Sequence, residues 1–313
     1  MRVFCAGMLV YDVYLGFVPS DIMCLDSHKI NAPNVSCGGD ALNVAISLSR
    51  LNLDVSVSGR IGKDSYGHYI LSECKKHNID TSNVVIDNLA PTATTFALID
   101  FSGERHFLTN NDIFSNYGFT DINLSELDKS NFVYFGSLMS FPKMDNGGLA
   151  RLFSEAIGRG VPTVLDAAFN DANLEFNWLE FLSPILKFTK YFFPSLREAQ
   201  EITRKEDLIE IADIFSQFGM EAFGIKLGKD GCFVTDFQQE RIIPAVRKFP
   251  IKNTTGAGDA FISGLIYGLS RGESIFRCVE LGNIFAALRI GEVIEKQEKY
   301  NINLVNELLL EID

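Results

Sequence analysis

The chain predicts a layered α/β fold built on a mostly parallel sheet, with a small second sheet, and three observations carry that expectation. Short apolar runs closed by Gly, Pro or a polar residue recur along its length. Stretches with helical spacing separate them, and two β-rich segments break the alternation. Residues 3–7 are apolar and end in Gly7, as suits a central strand buried on both faces. Runs at 54–59, 132–136, 162–166, 191–194 and 222–226 read the same way. Apolar residues fall on one helical face over 41–51, 147–157, 208–218 and 257–269, so strand and helix alternate as in βαβ units. Residues 13–36, and 92–109 with a turn at 101–104, fit strands of a separate sheet. The expected division is a core of 1–12, 37–91 and 110–313, and a lid of 13–36 and 92–109 folded over the carboxyl ends of the main strands. A plain edge extension of the main sheet is the alternative.

With 313 residues, 47% of them hydrophobic, the chain can bury a large core. Its formal charge of −12 argues against nucleic acid or an anionic membrane as a partner. An anionic ligand must therefore meet a local positive field, from backbone N–H groups or a bound divalent ion. Cys5, Cys24, Cys37, Cys74, Cys232 and Cys278 form no C-x-x-C pair, so reduced thiols are expected rather than a zinc site or disulfides. The apolar start is interrupted by Asp12, unlike a signal peptide, and a cytoplasmic protein is expected.

The most informative segment is Asn253-Thr254-Thr255-Gly256-Ala257-Gly258-Asp259, followed by an apolar helical face. Gly256 and Gly258 permit close backbone approach, so successive N–H groups can converge at a helix start as an anion hole. Asp259 in that first turn is either a dipole-complementing acid or a base able to take a proton from an attacking hydroxyl. Neither G-x-G-x-x-G after the first strand nor a P-loop is present, which speaks against a nicotinamide dehydrogenase and a P-loop enzyme.

In these residues the chain resembles the ribokinase-like sugar kinases, the phosphofructokinase-B type, whose motif is D-T-x-G-A-G-D. A second family motif, G-G-x-x-x-N, is matched by Gly38-Gly39-Asp40-Ala41-Leu42-Asn43. Gly7 with Asp12 resembles the first strand and its substrate Asp, and Leu227-Gly228-Lys229-Asp230-Gly231 resembles the nucleotide-side loop. The resemblance implies a doubly wound sheet with a lid of strands, ATP and Mg2+ as cofactor and metal, and a homodimer formed through the lids. It implies that Asp12, Gly38, Gly39 and Asn43 hold sugar hydroxyls, that Gly256, Ala257 and Gly258 form the anion hole, and that Asp259 is the base. Lys226, Gly228, Gly231, Gly258 and Asn283 fall on the nucleotide side. Without the resemblance, Asp12 also fits a strand-end turn residue and Asn43 a satisfied polar group in a first helical turn.

Three positions depart from the family pattern. Asn253 replaces an Asp that, with the residue at Thr255, contributes to a monovalent-cation site in relatives, so K+ activation is in question. Ser195 replaces the Asn of N-x-x-E, leaving Glu198 to hold magnesium through water. Asn170 falls where some relatives carry an Arg; Lys226, or Lys229 at a turn, is the replacement charge.

Arg105, beside the lid turn, either points to water or meets a carboxylate-bearing sugar such as 2-keto-3-deoxygluconate. Fructose and ribose are equally compatible with the sequence. A nucleoside kinase, with Phe101, Phe107 and Phe169 as walls, and a sugar-binding regulator without catalysis are the alternatives.

Overall fold

The computed structural model describes residues 1–167, 176–293 and 300–311. Phe169 and Asn170 lie outside them. Among the described residues the main sheet has nine strands: β1 (Arg2–Ala6), β4 (Asp54–Gly62), β5 (Asp80–Asp87), β8 (Phe132–Leu138), β9 (Thr163–Ala167), β10 (Tyr191–Phe192), β11 (Ala222–Lys226), β12 (Cys232–Thr235) and β13 (Glu240–Ile243). Their order is β13-β12-β11-β10-β9-β8-β1-β4-β5. All pairings are parallel except those of β12 with β11 and β13. The order therefore reverses between β1 and β8, the switch point at whose carboxyl end open α/β sheets bind ligands.

Helices α1 (Asp40–Arg50), α2 (Ser65–Lys76), α3 (Leu149–Gly158), α4 (Trp178–Leu186), α5 (Leu196–Thr203), α6 (Leu208–Ser216), α7 (Ala257–Ser270), α8 (Ile275–Ile290) and α9 (Ile302–Leu310) accompany the strands. Side-chain alternation divides the core in two. Val3 and Cys5 of β1 pack in one apolar cluster with α1, α7 and α8, while Phe4 and Ala6 join a second with α3, α4 and α6. Burial on both faces explains why the central strands are continuous apolar runs rather than alternating ones.

Beside this sheet stands a four-stranded one, ordered β3-β2-β6-β7, from β2 (Val10–Gly16), β3 (Asn34–Gly38), β6 (Thr94–Ile99) and β7 (Arg105–Asn110). It begins at Val10, so Asp12 sits mid-strand, opposite Ser36 and Thr95, rather than at the end of the first strand. The run at 191–194 shortens to two strand residues because Pro194 has no N–H and Ser195 caps α5, accepting from Glu198 N at 3.3 Å. Among the described residues, no helix is long and apolar enough to cross a membrane.

Candidate active site

Helix α7 starts where the glycine-rich segment ends. Gly256 is its N-cap with φ +76°, a left-handed conformation that glycine adopts without strain, and Ala257 to Asp259 form the first turn. Two cavities flank this turn. One, about 640 Å³, is lined by Tyr14, Asn43, Arg105, Asn253, Gly256, Asp259 and Arg289, among others. The other, about 750 Å³, is lined by Ser195, Glu198, Lys226, Gly228, Lys229, Gly231, Ala257, Gly258 and Asn283, with a largely apolar wall from Val246, Phe249, Ile251 and Ile290.

In the first cavity Asn43, one turn into α1, donates from Nδ2 to Asp259 Oδ2 at 2.7 Å. Burial raises the Asp259 carboxyl above the usual carboxylate range, while the Asn43 bond and the charges of Lys226 and Arg289 pull it back. Arg105 reaches in from the small sheet. Its Nη1 donates to Asn253 Oδ1 and Thr255 Oγ1, both at 2.6 Å, and Asn253 Oδ1 also accepts from Thr255 N. Because a guanidinium takes the side-chain oxygens of both residues expected at a monovalent-cation site, this arrangement does not fit a second cation there.

Asp12, Gly38 and Gly39 stand together but do not line that cavity. A Cβ on Gly38 would fall 1.9 Å from Asp12 Oδ2, so only glycine admits the carboxylate there. Tyr14 donates its hydroxyl to Asp12 Oδ2 at 3.4 Å. Burial lifts Asp12 to about 6, with the Tyr14 bond opposing. At Gly39, φ is +88° and a Cβ would meet Met8 O at 2.4 Å.

On the other side Lys226, at the end of β11, places Nζ 2.7 Å from both Oδ1 and Oδ2 of Asp166 on β9, reaching past the end of the short β10. Burial works to lower the Lys226 ammonium, but the charges of Asp166 and Glu198 override it and hold it above its ordinary range. Its Nζ is 3.5 Å from where a Cβ on Gly258 would lie, which puts a fixed positive charge beside the glycine turn. Glu198 accepts from Ser195 N at 2.6 Å, completing the capping box of α5, and also lines the cavity. Gly228 and Gly231, with φ of +61° and +96°, frame the 3₁₀ turn Gly228–Asp230. Asn283 is spent on structure as well as lining: its Nδ2 donates to Ile243 O and Pro244 O at 3.0 Å.

Sequence pattern missed Arg289 and Tyr14. A basic residue in the last turn of α8 is what the helix dipole favours, so Arg289 carries no distinguishing signal, yet its Nε lies 3.1 Å from a Cβ position on Gly256. Tyr14 is indistinguishable from any aromatic on a strand.

Comparisons with known proteins identify the family. The family model for pfkB family carbohydrate kinases matches residues 3–294. An uncharacterized sugar kinase of Archaeoglobus fulgidus is 27% identical over 244 residues, covering 77% of this chain and 93% of its own. The 2-dehydro-3-deoxygluconokinase of Bacillus subtilis is 24% identical over 282 residues, covering 84% of this chain and 83% of its own. The structure of Arabidopsis thaliana ribokinase, complexed with ribose and ATP, superposes with a TM-score of 0.81 at 18% identity over 98% of both chains. With a match over nearly its whole length and these relatives, the chain belongs to the pfkB family of carbohydrate kinases, phosphotransferases that act on an alcohol group.

Proposed function

We propose that the protein transfers the γ-phosphoryl group of ATP to a primary hydroxyl of a small sugar, with Asp259 as the base. The observation that carries this reading is the position of the α7 turn between two cavities, with Asp259 on one side and Gly258 and Lys226 on the other. A sugar hydroxyl in the first cavity and a terminal phosphate in the second meet at that turn. The hydroxyl oxygen attacks the γ-phosphorus and its proton passes to the Asp259 carboxylate. The bond from the γ-phosphorus to its bridging oxygen breaks, and ADP leaves.

The N–H groups of the first turn of α7 and the Lys226 ammonium stabilise charge on the transferring group. The apolar wall of the second cavity suits an adenine ring. Magnesium arriving with the nucleotide neutralises phosphate charge; Glu198 would hold it through water, in keeping with the few protein ligands that ion takes. Lys229 borders the same cavity, but Lys226 is the charge nearest Gly258.

Arg105 and Arg289 favour a sugar bearing a carboxylate, as in a 2-keto-3-deoxygluconate-like acid, over fructose or ribose. Among the described residues Arg105 is anchored through Nη1, and its remaining N–H groups suit a carboxylate oxygen. For a nucleoside, Phe101 and Phe107 would need to wall the cavity, but both are exposed and neither lines it. The small sheet acts as the lid in this reading. Its exposed Val35, Phe96, Phe107 and Leu108 suit pairing with a second copy, which sedimentation would detect.

The deciding experiment is ADP release by the purified protein with Mg-ATP across fructose, ribose, 2-keto-3-deoxygluconate and nucleosides, with and without potassium. Turnover of an acid sugar, indifferent to potassium, is expected. Turnover of nucleosides alone overturns the sugar reading, and sugar binding without ADP production removes the assignment of Asp259 as base.

A further inference from the structure

The start of α1 is held by a side chain that lies outside both cavities. Asp40, the first residue of that helix, is half-buried and accepts from Met8 N at 3.3 Å, from Ala41 N, and from the Ser137 hydroxyl at 2.6 Å. The Ser137 oxygen in turn accepts from Met8 N at 2.9 Å. Met8 follows β1 and Ser137 lies in β8, so one carboxylate ties the two strands of the switch point to a helix start. An acid in a first helical turn normally faces solvent and complements the dipole. Here its partners are two other elements of the core. Asn43 follows one turn on, its N–H bonded to Gly39 O at 2.9 Å and its amide to Asp259.

We propose that Asp40 is a positioning residue of the phosphoryl transfer, clamping the start of α1 between β1 and β8 so that the Asn43 amide stays on Asp259. This rests on the reading of Asp259 as the base. The surroundings are built for the clamp. A Cβ on Gly136 would lie 2.0 Å from the Tyr134 hydroxyl and 2.8 Å from Cγ of Asp40, so glycine there opens the space that both groups share. Cys5 from β1, Tyr134 from β8 and Asp259 from α7 are the titratable groups that face Asp40. Burial first, then the charge of Asp259, push the Asp40 carboxyl up to about 7, while the bonds from Ser137, Ala41 and Met8 pull it down. Only the ionised carboxylate accepts from all three donors; once protonated, it presents a donor of its own to them. The clamp therefore loosens as pH falls through about 7.

The test compares kcat, KM and melting temperature for the full chain and for Asp40→Asn, Ser137→Ala and Asp259→Asn, over roughly pH 6 to 9. The expected wild-type kcat falls on acidification with a step near 7. Asp40→Asn loses that step and about 10- to 100-fold in kcat at the alkaline plateau, the size expected for a displaced reacting group, with little change in KM. Ser137→Ala keeps the step but moves it to higher pH, because the hydroxyl no longer favours the ionised form. A merely structural Asp40 lowers the melting temperature without moving the step. Wild-type kcat and an unmoved step in Asp40→Asn, alongside an inactive Asp259→Asn, overturn the proposal and leave the base in place. Near-normal turnover in Asp259→Asn removes the base itself. Should Asp40→Asn fail to fold, an unmoved step in Ser137→Ala overturns the proposal.

Discussion

Asn43 Nδ2 lies 2.7 Å from Asp259 Oδ2, a hydrogen bond that joins the starts of two helices 216 positions apart in sequence. It fixes a carboxylate oxygen beside the α7 turn that separates the two cavities. Lys226, behind Gly258, supplies charge from the opposite side.

Replacing Asp259 with Asn keeps the shape and the Asn43 contact in outline but removes the proposed proton acceptor. The expected result is a fall in kcat of about 10²- to 10⁴-fold, with the sugar Kd nearly unchanged. Steady-state ADP release together with calorimetric sugar binding checks it. A matching loss of sugar affinity would instead make Asp259 a binding residue.

Arg105→Met separates two functions of one side chain. The guanidinium anchors β7 to Asn253 and Thr255 and also borders the first cavity. If it meets a substrate carboxylate, KM for an acid sugar rises about 10- to 100-fold while that for a neutral sugar changes by less than about threefold. Equal losses for both would assign Arg105 to anchoring alone.

Most of the fold was legible because burial on both faces writes continuous apolar runs, and because the glycine turn before α7 combines two rare signals, Gly256 and Gly258, with an acid. Pattern alone does not single out α2, where aromatic and charged residues mix and only Gly67, Ile70 and Cys74 are buried. The Asn43–Asp259 bond is a tertiary fact, visible beforehand only through a resemblance. Asp166 and Lys226 are 60 positions apart, on strands separated by β10, so no local spacing could pair them. From sequence Arg105 either points to water or meets a sugar carboxylate; its bonds to Asn253 and Thr255 appear only once the small sheet is placed.

Stability should peak on the acid side of neutrality. Burial raises Asp12 to about 6 and Asp40 and Asp145 to about 7, so between their unfolded values and these pH values the native state binds more protons than the unfolded one. By linkage, stability then rises as pH falls from 8 toward about 5. Asp64 and Asp80 run the other way: backbone and side-chain hydrogen bonds outweigh their burial and hold them below the ordinary range. Their contribution is present above about pH 4 and lost as pH falls through their depressed values. Melting temperature measured across pH should therefore rise, pass a maximum and fall. A monotonic decline from pH 8 downward would show that these raised carboxyls do not govern it.

The buried ion pair of Lys226 and Asp166 offers a way to tell phosphate binding from structural charge balance. Lys226→Met alone leaves Asp166, 7% exposed, without its partner, and breaking such a pair costs about 3–5 kcal/mol. That variant should lose both melting temperature and ATP affinity, so by itself it decides nothing. Adding Asp166→Asn removes the stranded charge and should restore most of the melting temperature, since replacing both members of a buried pair is often close to neutral. If Lys226 stabilises the transferring phosphoryl group, the double variant still shows a raised KM for ATP and a lowered kcat. Recovery of both constants together with the melting temperature would reduce Lys226 to the counter-ion of Asp166, and leave the N–H groups of the α7 turn as the anion hole on their own.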